Sequence, residues 1–126
     1  LDVDFAPLFL TIAEKKPLPK GLSFPSTQKA AVVVVAAPGY PNNPDKGGHI
    51  AGIFAAERQR EARVFCGGVG RDGAVFTVDG GRVLAVAGRG DSFDVALDRA
   101  YRAVDQLSFE GMQVRRDIGR SVRSRG

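Results

Sequence analysis

Residues 115–119 read Arg-Arg-Asp-Ile-Gly and form the densest cluster of groups in the chain able to hold a charged small molecule. A guanidinium is permanently charged and presents its donors as a planar fork that matches phosphate or carboxylate oxygens. Two adjacent arginines on an extended segment project to opposite sides, so one can hold a ligand while the other pairs with protein. Asp117 is placed to orient one of them, and Gly119 lets the backbone turn or approach closely. A surface ion-pair cluster would use the same residues, and from the five residues alone it is the simpler reading. Arg82 follows Gly80-Gly81, where a long side chain can reach an adjacent cleft or simply extend into water.

Other chemistry finds less support. Cys66 falls on a predicted strand and reads as a small core residue; only His49 could activate it, and no third orienting group is evident. A single histidine does not make a metal site. Gly67-Gly68-Val69-Gly70 has the look of a phosphate loop, yet no Gly-Lys-Ser/Thr follows and no long helix begins there. One cysteine allows no intramolecular disulfide.

The formal net charge of +4 is concentrated at the end of the chain. Residues 115–126 carry five arginines against Asp117 alone, so everything before them is balanced. Arg120, Arg123 and Arg125 read as a solvated tail. No aromatic residue interleaves with them, so a single-stranded nucleic-acid platform is not expected. No apolar run approaches the ~20 residues of a membrane span. The opening LDVDFAPLF has neither a basic region nor a small-residue cleavage site. A cytoplasmic protein acting on a small molecule, without nucleic acid or membrane, is the expectation.

These groups need elements to position them, and 126 residues suffice for one domain. Asp4 is placed to cap a short helix with Phe5, Leu8, Phe9, Ile12 and Ala13 on one face, and Pro17 stops it. Residues 16–28 are a linker rich in proline. Ala30–Ala37 is β-branched and apolar on both faces, which predicts a central strand. Pro38-Gly39-Tyr40-Pro41 forces a turn in which Tyr40 packs on a neighbour. His49–Phe54 reads as a short strand or bend, Glu57–Glu61 as a charged connection, and Arg63–Cys66 as a strand. Ala74–Val78 and Arg82–Ala87 are expected to form a hairpin about Asp79-Gly80-Gly81.

Asp91 is placed to cap a long helix reaching Leu107, with Phe93, Ala96, Leu97, Ala100, Tyr101, Val104 and Leu107 on its apolar face. Met112–Val114 reads as a short strand leading into the arginine pair. Several short strands and one long packed helix predict an α+β fold, with a small, mostly antiparallel sheet or partial barrel.

From Gly80 to Gly119 the order GGRVLAVAGRGDSFDVALDRAYRAVDQLSFEGMQVRRDIG resembles the C-terminal domain of the phosphoribosylamine–glycine ligase family of ATP-grasp enzymes. The resemblance extends over residues 30–119 and weakly to the first helix. It implies that residues 1–28 end an ATP-grasp region and that 29–126 form the C-terminal, substrate-side domain. The implied reaction is ATP-dependent joining of glycine to 5-phosphoribosylamine in purine synthesis. Carried over by position, Arg115 and Arg116 face the ribose phosphate with Asp117 in support, and Arg82 joins them. ATP and magnesium would be bound mainly by upstream domains, so the chain alone is expected to be inactive.

Two departures stand out. Phe65-Cys66-Gly67-Gly68-Val69 occupies the place of a Phe-His-Ala-Gly-Thr pattern, and Pro38 replaces a glycine. A free-standing binding module of the same fold, or the equivalent domain of another ATP-grasp ligase or carboxylase, remain the alternatives.

Overall fold

The computed structural model describes residues 4–23 and 27–123. Part of the predicted linker and Arg125 lie outside that range. The predicted central strand is β1 (Lys29–Ala36), whose Val33 and Val35 are fully buried. It runs antiparallel to β6 (Arg82–Gly90) over almost its whole length, from Lys29 opposite Gly90 to Val35 opposite Leu84. β3 (Ala62–Cys66) lies outside β6, and β7 (Gln113–Val114) lies on the far side of β1. A second sheet has the order β2 (His49–Ile50), β5 (Val75–Val78), β4 (Val69–Asp72). Every strand pairing is antiparallel, and the strands form two open sheets. The α+β class is as expected.

The predicted hairpin is wrong. β5 and β6 do not pair; β5 pairs with β4 about Gly73-Ala74, and β6 pairs with β3. Gly73 has φ +57°, as the first loop position of a type II′ turn requires. The result is one long ribbon that bends as it passes from the first sheet to the second. At the bend its two arms touch: a Cβ on Gly68 would lie 2.6 Å from the Gly80 Cα. Asp79 N–H donates to Gly68 O at 2.7 Å, and Gly68 N–H donates to Arg82 O at 2.9 Å. Gly80 therefore serves the crossing of two backbones, and the Asp-Gly turn is at Asp72-Gly73.

The long helix is α3 (Phe93–Val104), shorter than the predicted 91–107. Its cap is Ser92, not Asp91: the extended Ser92 accepts the Val95 N–H through Oγ at 3.2 Å. β6 continues to Gly90, so Asp91 is used in the two-residue connection. Ala96, Leu97, Ala100, Ala103 and Val104 are buried against β6 and β1. The helix lies close to the sheet because Gly88 has no side chain: a Cβ there would come 2.1 Å from Ala96 O. Phe93, predicted on the apolar face, is 41% exposed at the rim, with the Lys29 ammonium 5.8 Å from its ring centroid.

Two smaller corrections follow. Residues 53–57 form a helical turn, α2 (Ile53–Glu57), where a strand or bend and then a charged connection were expected. It buries Ile53 and Ala56, two residues too close together to show a period. Cys66, expected in the core, is exposed because β3 is an edge strand. The first helix, α1 (Phe5–Ala13), is capped by Asp4 as predicted, yet none of its residues is buried.

Candidate functional site

The arginine pair lies where β7 leaves the sheet and folds back over α3. Arg115 Nε and Nη2 donate to Asp117 Oδ1 and Oδ2 at 3.0 and 2.8 Å, a two-pronged pair within a single turn. That hydrogen bond, with the arginine charge added, holds the Asp117 carboxyl below its ordinary range; the same bond raises Arg115. The Arg115 side chain is 73% exposed even so, with one edge turned to its carboxylate.

Arg116 goes elsewhere. Its Nη1 donates to Asp105 Oδ1 at 2.6 Å, and its guanidinium carbon lies 5.5 Å from the Tyr101 ring centroid. The neighbours thus diverge, one to a carboxylate in its own turn and the other to the end of α3. Ile118 packs against the core, and Gly119, at φ +74°, fits against Leu97: a Cβ there would sit 2.5 Å from Leu97 Cδ1. A left-handed backbone and a close approach both require glycine at this position.

Arg82 is held apart from this turn. It opens β6 opposite Ala36, and Ala36 is also opposite Gln113 in β7. Arg82 and the end of β7 therefore flank β1 on its two sides at the same end of the sheet. The Arg82 side chain is exposed and makes no hydrogen bond or ion pair with any described residue. It lines a shallow groove on the open face of the first sheet with Val34, Phe65, Cys66 and Gly67. Tyr40 sits behind this end, and a Cβ on Gly81 would come 2.6 Å from its ring, in keeping with the packing expected of it.

Two residues of this region were not singled out by the sequence. Tyr101 was read as part of an apolar face, but its hydroxyl accepts the Ile118 N–H at 3.1 Å and donates to Arg115 O at 2.8 Å. Asp105, at the end of α3, anchors Arg116. The signal was available for tyrosine, since a partly buried hydroxyl needs a partner. Arg123, expected in a solvated tail, donates instead to Asp98 at 2.8 Å from α4 (Arg120–Arg123).

Among known proteins, a family model described as phosphoribosylglycinamide synthetase, C domain, matches residues 30–121. Phosphoribosylamine–glycine ligase of Clostridium acetobutylicum is 40% identical over 92 residues, covering 73% of this chain and 21% of that protein. The Synechocystis protein of the same name is 47% identical over 91 residues, covering 71% of this chain and again 21% of the relative. A crystal structure of phosphoribosylamine–glycine ligase from Thermotoga maritima superposes with a TM-score of 0.61 at 36% identity, over 70% of this chain and 21% of that one. The chain thus spans about a fifth of the length of the relatives it matches. It belongs to the phosphoribosylglycinamide synthetase C-domain family.

Proposed function

We propose that this chain is the substrate-side, C-terminal domain (residues 29–126, after an ATP-grasp end at 1–28) of a cytoplasmic ligase that joins glycine to 5-phosphoribosylamine. In this reading Arg115 contacts the ribose phosphate, with Asp117 holding its other edge and Arg116 fixing the turn to α3. The observation that carries it is the exposed Arg115 fork, aligned by a carboxylate within the family-matched region. Asp117 accepts from Nε and Nη2, which leaves the Nη1 hydrogens and the second Nη2 hydrogen to donate to phosphate oxygens, and a planar donor set already oriented loses little freedom on binding. Arg82 is a second contact: it has no partner among the described residues and lines a groove at the same end of the sheet.

In this reading the upstream ATP-grasp domains would hold ATP and magnesium, which would supply the phosphoryl group for activating glycine and the charge to stabilise it. The side chains present do not fit a metal: among the described residues no three His, Cys, Asp or Glu gather in one place. This chain's own residues act on the ribose end of the substrate, aligning its amine by gripping the phosphate.

Kinetics of the intact ligase test the assignment. Arg115→Ala should raise KM for phosphoribosylamine about tenfold to a hundredfold, the worth of one charge-assisted hydrogen bond, with KM for ATP unchanged. Arg82→Ala should act in the same direction. Arg60→Ala, an exposed arginine in the turn that precedes β3, is the control. Equal effects from all three would reduce the site to diffuse basic charge and sink the assignment.

A further inference from the structure

Tyr101 occupies a position in α3 from which one side chain reaches three parts of the arginine turn. Its hydroxyl donates to Arg115 O at 2.8 Å and accepts the Ile118 N–H at 3.1 Å. The direction is forced, because a carbonyl cannot donate and an amide N–H cannot accept. The two bonded backbone groups bracket Arg116 and Asp117, so the phenol closes the turn across its open side. Beneath, the Tyr101 ring carries the Arg116 guanidinium at 5.5 Å and packs against the core. α3 is itself fixed by buried Leu97, which meets Gly119 at the end of the same turn.

We infer that Tyr101 is a positioning residue for the phosphate contact, setting the turn in which Asp117 aligns Arg115. This rests on the reading of Arg115 as the ligand-facing arginine. The ion pair between Arg115 and Asp117 is exposed, and an exposed pair alone holds its geometry weakly. Without the phenol, the backbone between them can rotate, and the fork is no longer aimed before the substrate arrives. Grip on the phosphate then suffers, while the ATP side of the reaction does not.

Tyr101→Phe isolates the hydroxyl, since the ring, its packing and its contact with Arg116 are retained. In the intact ligase it should raise KM for phosphoribosylamine roughly three- to tenfold, the worth of a hydrogen bond. Turnover and KM for ATP should be unchanged, and the melting temperature should fall by no more than about 2–4 °C. In the same variant, hydrogen exchange at the Ile118 amide should speed up. Arg115→Ala measured beside it separates the two readings. If Arg115→Ala raises KM and Tyr101→Phe does not, the positioning role is overturned and the phosphate reading stands. A Tyr101→Phe enzyme whose melting temperature and every KM shift together shows a merely structural tyrosine, which also overturns it. If neither variant moves KM, the phosphate reading fails and the positioning role falls with it.

Discussion

Arg115 and Arg116 are adjacent in sequence but differ in what they hold, and substitution should separate them. Arg116 joins an exposed ion pair to Asp105 and a cation–π contact with Tyr101. Each is worth at most about 1 kcal/mol at such exposure and both are screened by salt. Arg116→Ala should therefore lower stability by roughly 1 kcal/mol, less at high salt, in a denaturant melt, whereas Arg115→Ala, which loses one exposed ion pair only, should lower it by less. Equal stability losses would place both in one network. The carboxylates make a second prediction. Hydrogen bonds from Arg115 and Arg89 hold Asp117 and Glu61 below their ordinary values. A depressed carboxyl contributes stability that is complete above its unfolded value, near 4, and is lost as pH falls through the folded one. Stability from these pairs should thus be flat from pH 7 to about 5 and decline below about 4. Carboxyl carbon titration by NMR checks this: an Asp117 midpoint at or above about 3.9 would contradict the pairing. The arginine–aspartate fork was legible in sequence because it is local. Asp105 was not, because its partner is 11 residues away, across a turn that no pattern announces.

At the scale of elements, the sequence showed what was periodic and missed what depended on crossing chains. β1 and α3 were readable from β-branched density and a 3.6-residue spacing. The hairpin was misplaced because two Asp-Gly pairs, at 72–73 and 79–80, carry the same turn signal. Only contact between Gly68 and Gly80, distant in sequence, decides which pair turns and which crosses. The same dependence on close approach governs α3. Leu97 is 1% exposed and touches the arginine turn through Gly119. Leu97→Ala should cost about 2–5 kcal/mol, read as a lowered midpoint in urea at constant slope. Gly88→Ala should be at least as damaging, since its Cβ would meet helix backbone, which cannot swing aside as a flexible side chain can. Ser92→Ala, which removes only the cap, should cost about 1 kcal/mol. A cap effect at Asp91 and none at Ser92 would mean the helix begins one residue earlier.

At the scale of the molecule, α3 covers one face of the first sheet and leaves the other open. On that open face Val32, Val34 and Phe65 are 51%, 44% and 58% exposed, beside the groove that holds Arg82. Phe9, Leu10 and Ile12 of α1 are also more than half exposed. Large apolar side chains gathered on one face of a sheet are a mark of an interaction surface. Relatives carry about four-fifths of their length outside the matched region, and under the proposed function we expect upstream domains of the ligase to cover this surface. The prediction is a contrast between two proteins. In the 126-residue chain, Val34→Asp replaces an exposed side chain and should change stability by no more than about 0.5 kcal/mol. In the intact ligase the same aspartate would be buried without a partner, at a cost of about 3 kcal/mol or more, and should loosen the domain. Limited proteolysis between residues 14 and 28 should then accelerate in the intact variant. Since the Arg82 groove adjoins this face, KM for phosphoribosylamine should rise as well. If the proposed function holds, the isolated chain should show no ATP-dependent ligation in either form. An aspartate at position 34 equally harmless in both proteins would mean that the face stays in water and the upstream domains dock elsewhere.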